Sequence, residues 1–216
     1  MKDSKSLWKL IGEIKRKKKL EVAVFYEEVP ITGTIEIIDI DETLEQIIWK
    51  ADKKILPTLK ETRHIYFKHN GEVYILTVIA YDQKEIATSF PSYALDQKLN
   101  RTYVRVKTSD KDPILVMING YKLYADDISE AGVGIITSEE EKECIQEGKE
   151  CQFEIKLRND TVKLKGIVVY RRKAGKGVIR IGIKFTEVKQ KDRDKIAKYI
   201  MDRQREIAKK ISMFKV

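Results

Sequence analysis

The sequence predicts a mainly β protein built from two small antiparallel β-barrel-like domains, with a C-terminal α-helix after the second. Short stretches of alternating apolar and polar residues recur along most of the chain, as expected for half-buried strands. Turn signals such as Asn70-Gly71 separate these stretches. No helical pattern lies between successive strands, which argues against a parallel βαβ sheet. The 216 residues are enough for two such domains.

The composition excludes several classes of protein. Apolar residues make up 42% of the chain and charged residues 36%, which suits a folded protein with a charged surface and not a disordered one. No apolar run is long enough for a membrane span or a secretory signal, so we expect a cytoplasmic protein. Cys144 and Cys151 are too few for a disulfide framework, and their spacing matches no metal-binding pattern.

The net charge of +9 is distributed unevenly. Residues 1–97 carry 15 basic and 16 acidic side chains, whereas residues 98–216 carry 28 and 18. We therefore expect any anionic partner to bind the C-terminal part. A nucleic-acid-binding basic barrel is one interpretation of this charge, and a surface that is merely soluble is the other.

The first predicted domain spans residues 1–97. Leu7, Leu10, Ile11 and Ile14 have helical spacing, which predicts a short basic helix over residues 7–19. Five predicted strands follow, one from Leu20 and the others at Ile31–Ile40, Glu45–Lys50, His64–Lys68 and Glu72–Asp82.

Nothing in this first domain indicates catalysis or metal binding. His64 and His69 lack a nearby third ligand, so we interpret them as strand or surface histidines. The run Lys15-Arg16-Lys17-Lys18-Lys19 is interpreted as a solvated helix end.

The second predicted domain spans residues 98–216, because Ser89-Phe90-Pro91-Ser92 interrupts the strand pattern and the join falls between there and Asn100. The predicted strands are Tyr103–Thr108, Pro113–Ile118, Lys122–Asp126, Gly132–Ile136, Glu150–Lys156, Thr161–Arg171 and Gly177–Phe185. A basic amphipathic helix is predicted from Asp192 to Phe214. Its apolar stripe is expected to cover a barrel or to form a dimer.

Two polar clusters stand out in this second domain. Asn100-Arg101-Thr102-Tyr103-Val104-Arg105 places two arginines four residues apart at the start of a strand. Asp126-Asp127-Ile128-Ser129-Glu130-Ala131-Gly132 has the composition of a polar turn before a strand. Each cluster alone is explained by solubility or by turn formation.

Together the two clusters resemble the motif of the PilZ family, Arg-x-x-x-Arg followed by Asp/Asn-x-Ser-x-x-Gly. Here Val106–Asp126, 21 residues, separates the two parts. The run Arg180-Ile181-Gly182-Ile183-Lys184-Phe185 is similar to a late strand of the family's barrel, and the final helix is similar to its C-terminal helix. The resemblance covers residues from about 98 onwards and implies a PilZ-type barrel for the second domain.

The resemblance implies a receptor for the bacterial second messenger cyclic di-GMP that has no catalytic activity and needs no cofactor or metal. Arg101 and Arg105 would bind phosphate oxygens or the guanine edge through their forked guanidinium groups. Asp127 would accept from guanine N1–H and the exocyclic amine, and Ser129 would add a hydroxyl group. Gly132 would let the backbone approach the ligand or adopt a positive φ, and Gly182 would line the site.

The sequence departs from the family pattern beside the first arginine. Many members have a second arginine next to it, whereas this chain has Asn100 before Arg101 and Thr102 after it. Residues here influence whether one or two ligand molecules bind, so the stoichiometry stays open, and Asn100 is included among the expected ligand contacts.

A β domain in front of a PilZ domain resembles the flagellar-brake subgroup. The resemblance implies that ligand binding changes the arrangement of the domains and that the output is motility or a related surface behaviour. It also implies that a flagellar motor component is the protein partner and that the protein is recruited to the flagellar basal body. Two alternatives remain: a PilZ-like protein-interaction module without ligand, and a nucleic-acid-binding basic barrel, against which the lack of an evident row of surface aromatic residues argues.

Overall fold

The computed structural model describes residues 4–138 and 145–214. Contacts between residues divide this part of the chain into two compact units. The first contains residues 4–26, 30–102 and 209–214, and the second contains residues 27–29 and 103–208. Cys144 lies outside the described residues, so the prediction about the two cysteines rests on the sequence alone.

The first unit is built around a closed antiparallel barrel of six strands with a seventh strand at its side. The strand order is β4-β1-β2-β3-β6-β5, closed by pairing of β4 with β5, and β7 pairs with β5. The strands are β1 (Lys19–Tyr26), β2 (Val29–Asp41), β3 (Gln46–Lys50), β4 (His64–His69), β5 (Glu72–Tyr81), β6 (Glu85–Ser89) and β7 (Ser92–Tyr93).

A short helix completes the core of this unit. Helix α1 (Ser4–Lys17) buries Leu10, Ile11 and Ile14 against the barrel residues, as the helical spacing predicts. Inside the barrel Trp49 is fully buried, and its indole Nε1 donates to Thr88 Oγ1 at 2.9 Å. The core therefore accommodates the one polar atom of its largest side chain.

The second unit is also built around a closed six-stranded antiparallel barrel. The strand order is β11-β14-β13-β12-β9-β10, closed by pairing of β11 with β10, and β8 adds to β10. The strands are β8 (Arg105–Lys107), β9 (Leu115–Ile118), β10 (Tyr121–Ser129), β11 (Gly132–Ser138), β12 (Glu150–Leu157), β13 (Asp160–Gly175) and β14 (Val178–Glu187).

Helix α2 (Gln190–Ser212) follows the second barrel, as predicted. Its buried residues are Ile196, Tyr199, Ile200, Arg203 and Ile207. Arg203 Nε donates to the carbonyl oxygen of Lys107 at 3.0 Å. Lys195 Nζ lies 3.3 Å from Asp160 Oδ1 at the start of β13. The apolar stripe is thus buried, and polar contacts join the helix to β8 and β13 of the second unit.

The main difference from the predicted strands concerns residues 82–93. The sequence shows Pro91 between two short polar stretches, and the pattern there was interpreted as an interruption. The structure instead forms β6 and β7 on either side of this proline. Both pair with long strands, so tertiary pairing supplies the stability that the local pattern does not indicate.

A smaller difference concerns the polar cluster Asp126–Gly132, which was predicted to be a turn. Asp126 to Ser129 form the end of β10, and only Glu130 and Ala131 connect it to β11. None of the helices in the described part of the chain is long and apolar enough to cross a membrane.

Candidate functional site

The site begins with a β-bulge in β10. Ala125 pairs with Ile135 and Asp127 pairs with Gly134, so Asp126 is an extra residue in the strand. In a regular strand, residues two apart face the same side, so Asp127 would face the core as Ala125 does. The bulge instead directs both carboxylates, Asp126 and Asp127, to the outer face of the barrel, where they meet the same arginine.

Two glycines form the floor of the site beside these carboxylates. Gly134 on β11 pairs with Gly182 on β14, and Gly182 pairs in turn with Tyr170 on β13. A Cβ atom on Gly134 would lie 2.9 Å from both oxygens of Asp127. A Cβ atom on Gly182 would overlap the ring of Tyr170. Only glycine leaves room for the carboxylate at one position and for the aromatic ring at the other.

A second row of residues runs parallel to this floor. Arg105 on β8 pairs with Ser129 on β10, Ser129 pairs with Gly132 on β11, and Gly132 pairs with Lys184 on β14. A Cβ atom on Gly132 would lie 2.5 Å from the carbonyl oxygen of Ile183. Gly132 is therefore needed for the close approach of two strands. Of the two roles expected for Gly132, a positive φ is not the one that the structure shows.

Four charged side chains meet at the edge of the floor. Arg180 on β14 forms ion pairs with Asp126 through Nη1 and with Asp127 through Nη2. Arg105 Nε lies 3.3 Å from Asp127 Oδ1. The side chain of Asp127 is only 1% exposed, so two guanidinium groups balance a buried carboxylate. Arg180 Nε also donates to Tyr170 Oη at 3.3 Å.

These residues surround a cleft of about 250 Å³ on the outer wall of the second barrel. Its lining includes Arg105, Ser129, Gly132, Gly134, Tyr170, Gly182 and Lys184. The floor is backbone, one wall is aromatic, and the rim carries the cationic side chains of Arg105 and Lys184. Such a surface can bind a flat ring system that carries negative charge.

The predicted site residues thus fall into two groups. Arg105, Ser129, Gly132 and Gly182 line the cleft, and Asp127 contacts Arg105 directly behind it. Asn100 and Arg101 belong to the first compact unit and are not part of this cluster. Asn100 ends the short 3-10 helix Lys98–Asn100, where its Nδ2 donates to Gln97 Oε1 at 2.6 Å.

Sequence reasoning missed three residues of this site. Gly134, Tyr170 and Arg180 lie outside the two motif segments. Strand pairing brings Gly134 and Tyr170 to the cleft and Arg180 to the carboxylates beside it. A signal was present for Arg180, because it lies two residues before Gly182 in a strand and so faces the same side. Asp126, where the predicted strand meets the predicted polar turn, forms an ion pair with Arg180, and its Oδ1 lies 3.8 Å from Lys107 Nζ.

A larger cavity, of about 540 Å³, lies in the first unit and contains none of the motif residues. Strands β1, β2 and β4 contribute to it, together with Asp52, Lys54 and Leu99. Asp52 is occupied by the backbone, since its carboxylate accepts from the N–H groups of Thr34 and Lys54, both at 2.8 Å. This open groove has no convergent set of functional groups comparable to the cleft of the second unit.

The two histidines lie in β4 of the first unit, as predicted. His64 is exposed at the start of the strand. His69 Nε2 lies 2.7 Å from Glu13 Oε2 on α1, so this histidine joins the helix to the barrel.

The second unit therefore presents a surface cleft on the outer wall of a small barrel, with cationic groups on its rim and a glycine floor. Residues 99–202 match the PilZ domain family, so this part of the chain is a PilZ domain. The Arg-x-x-x-Arg and Asp-x-Ser-x-x-Gly segments both lie within the matched range.

Proteins similar over nearly the whole chain were also found. An uncharacterised protein of Aquifex aeolicus (strain VF5) is 27% identical over 95% of this chain and 96% of its own length. The structure of K. pneumonia MrkH in complex with c-di-GMP has a TM-score of 0.52 at 13% identity, covering 96% of this chain and 97% of that one. Escherichia coli YcgR in complex with c-di-GMP has a TM-score of 0.49 at 13% identity, covering 99% and 96%. At such identities the structural likeness is one of fold.

Proposed function

We propose that this protein is a non-enzymatic receptor for cyclic di-GMP, with the ligand bound in the cleft of the PilZ domain. The observation that carries the proposal is the convergence of Arg105, Ser129 and Gly132 on one cleft, although they come from separate parts of the motif. Three strands contribute these residues. Family membership independently supports a cyclic di-GMP ligand.

Each side of the cleft suits one part of the ligand. Arg105 offers two forked donors to a phosphate or to guanine O6 and N7, and Lys184 adds a second positive charge on the rim. The Tyr170 ring offers a surface on which a guanine base stacks. Asp127 is the acceptor proposed for guanine N1–H and the exocyclic amine, once Arg105 has turned toward the ligand.

Isothermal titration calorimetry with cyclic di-GMP tests this proposal. We expect saturable binding to the wild type and a loss of at least about 100-fold in affinity for Arg105→Ala, because a charged, forked contact to phosphate is removed. Lys163→Ala is the matched control, since it removes one positive charge from β13 at a residue outside the cleft. GTP serves as the control ligand.

A wild type that does not bind cyclic di-GMP would overturn the receptor proposal and favour a protein-interaction module. Equal affinities for the wild type and Arg105→Ala would place the ligand elsewhere. The stoichiometry of the titration distinguishes one bound ligand molecule from two.

We further propose that the ligand changes the arrangement of the two domains and that the output is control of motility through a flagellar motor component, with the protein cytoplasmic and recruited to the basal body. The support is the order of domains, a β barrel before a PilZ domain.

Small-angle scattering with and without cyclic di-GMP tests the rearrangement. Swimming assays of a deletion strain complemented with wild type or Arg105→Ala test the output, and equal swimming would count against it.

A further inference from the structure

We propose that Arg180 is a positioning residue that determines guanine selectivity by holding Asp127 in place. This inference rests on the proposed function and extends it to a residue outside the two motif segments. Arg180 lies on β14 opposite Ile136 on β11, two residue pairs along the two strands from the Gly134–Gly182 pair. Its side chain contacts three separate groups around the cleft.

The first step of the argument concerns charge. Asp127 is 1% exposed and carries ion pairs with Arg105 and Arg180. Removing the partner of a buried carboxylate strongly destabilises the folded protein, because an uncompensated charge is left in its interior. If Arg105 turns toward a phosphate or a guanine, its contact with Asp127 is given up or shared. Arg180 then supplies the remaining positive charge beside Asp127, whose oxygens can accept hydrogen bonds from the ligand.

The second step concerns direction. Arg180 donates to Asp127 through Nη2, to Asp126 through Nη1 and to Tyr170 through Nε. A guanidinium group held at three positions cannot rotate freely, so it fixes the orientation of the Asp127 carboxylate. Gly134 lies beneath this contact, and a Cβ there would be 2.9 Å from Arg180 Nη2 and from the Asp127 oxygens. The Asp127 carboxylate is thus held in one position. Arg180 contacts it directly, Tyr170 and Asp126 hold Arg180, and the backbone of Gly134 lies beneath.

The third step concerns selectivity. A carboxylate accepts from guanine N1–H and the exocyclic amine, whereas adenine offers an acceptor at N1. A site whose buried acceptor is correctly placed rejects a base that lacks the matching donor. A displaced Asp127 would lose this discrimination even where Arg105 still binds the phosphates.

The experiment compares cyclic di-GMP with cyclic di-AMP by calorimetry on the full chain. We expect Arg180→Met to weaken cyclic di-GMP binding about 10- to 100-fold while changing cyclic di-AMP binding little, so that selectivity falls. Arg180→Lys retains the charge but not the fork, and is expected to restore part of the selectivity. Lys163→Met is the matched control, because it removes one exposed positive charge outside the cleft.

A double-mutant cycle tests whether Arg180 acts through Asp127. In an Asp127→Asn background, Arg180→Met is expected to have little further effect on cyclic di-GMP affinity, because the group that it positions has lost its charge. Thermal unfolding midpoints of all variants separate loss of fold from loss of selectivity.

The outcomes distinguish this inference from the proposed function. A wild type that binds neither dinucleotide overturns the receptor proposal, and this inference with it. A selective wild type together with an equally selective Arg180→Met overturns this inference alone. The same holds if the effects of Arg180→Met and Asp127→Asn on affinity are additive, or if Arg180→Met weakens both ligands equally.

Discussion

At the scale of single residues, Gly182 determines how close the Tyr170 ring lies to the wall of the cleft. An added methyl group at residue 182 would overlap that ring, whereas one at Gly175 has Val178 as its nearest neighbour at 3.9 Å. We expect Gly182→Ala to lower stability by about 1–3 kcal/mol through overpacking and to weaken cyclic di-GMP binding by displacing Tyr170. Thermal unfolding and calorimetry measure the two effects.

Gly175→Ala is the control for this prediction, because it makes the same chemical change on the same sheet where the added methyl group meets only an ordinary van der Waals contact. Unchanged stability and affinity for Gly182→Ala would mean that the tyrosine ring moves away at no cost, and would remove Tyr170 from the proposed site.

The residues of the cleft that the sequence alone singles out are those with a local signature. Arg105, Ser129 and Gly132 belong to short segments with a defined spacing, so they are recognised before any strand is paired. Tyr170 and Gly134 reach the cleft only through pairing of β13, β14 and β11, and a single sequence does not reveal which strands become neighbours. Arg101 shows the reverse case, because the motif includes it while the structure assigns it to the first unit.

At the scale of elements, charged groups attach the C-terminal helix to the second barrel. Glu206 on α2 forms ion pairs with Arg158, at the β12–β13 turn, and with Arg203 on the helix itself. Arg158 Nε also lies 2.6 Å from Asp112 Oδ2. Partial burial raises the pKa of Glu206, but hydrogen bonds from the two arginines outweigh it, and the net pKa lies below the usual value.

This shift predicts how the stability of the helix attachment depends on pH. A carboxyl group with a lowered pKa in the folded state stabilises the protein above its unfolded-state pKa, and the contribution is lost as the pH falls through the folded-state pKa. Because Glu206 is 41% exposed, we expect Glu206→Gln to lose at most about 1 kcal/mol at pH 7. The difference from wild type should disappear as the pH falls below 4.5, the ordinary value for this group.

Urea unfolding followed by circular dichroism at pH 7, 5 and 3 measures this difference. Glu154→Gln is the control, since it removes an ion pair with Lys163 at the surface of β12. A difference between Glu206→Gln and wild type that is the same at pH 3 and pH 7 would contradict the ionic explanation.

Elements are predicted well where the turn carries its own signal. Asn70 and Gly71 both adopt positive φ, as the predicted hairpin between β4 and β5 requires. The bulge at Asp126 has no such signal, because one extra residue in a strand leaves the composition of the strand unchanged. The sequence therefore predicts a strand that ends at Asp126 and then a turn, and only the register reveals that Asp127 also belongs to the strand.

At the scale of the whole molecule, the basic excess of residues 98–216 keeps the nucleic-acid alternative testable. Binding of an oligonucleotide by scattered lysines releases counterions and weakens steeply with salt. We expect a labelled 20-nucleotide single strand to bind weakly at 50 mM salt and to dissociate by 200 mM. Binding of cyclic di-GMP should change much less, because the ligand carries only two phosphates.

Fluorescence anisotropy of the labelled strand and calorimetry of the dinucleotide, both across the same salt series, provide the comparison. An oligonucleotide that binds more tightly than cyclic di-GMP at 200 mM salt would contradict the receptor assignment and support the nucleic-acid alternative.

The location of the cleft on the outer wall of a barrel has a consequence for how such a protein evolves. Along β11, Ile135 is buried in the core, Gly132 and Gly134 line the cleft, and Val133 does both. Along β14, Ile181 is buried in the core, Gly182 and Lys184 line the cleft, and Ile183 again does both. A substitution at Lys184 therefore alters the cleft alone, whereas one at Val133 or Ile183 alters the cleft and the core together. We expect the shape of the cleft to diverge between related proteins mainly at residues of the first kind, because such changes leave the barrel intact.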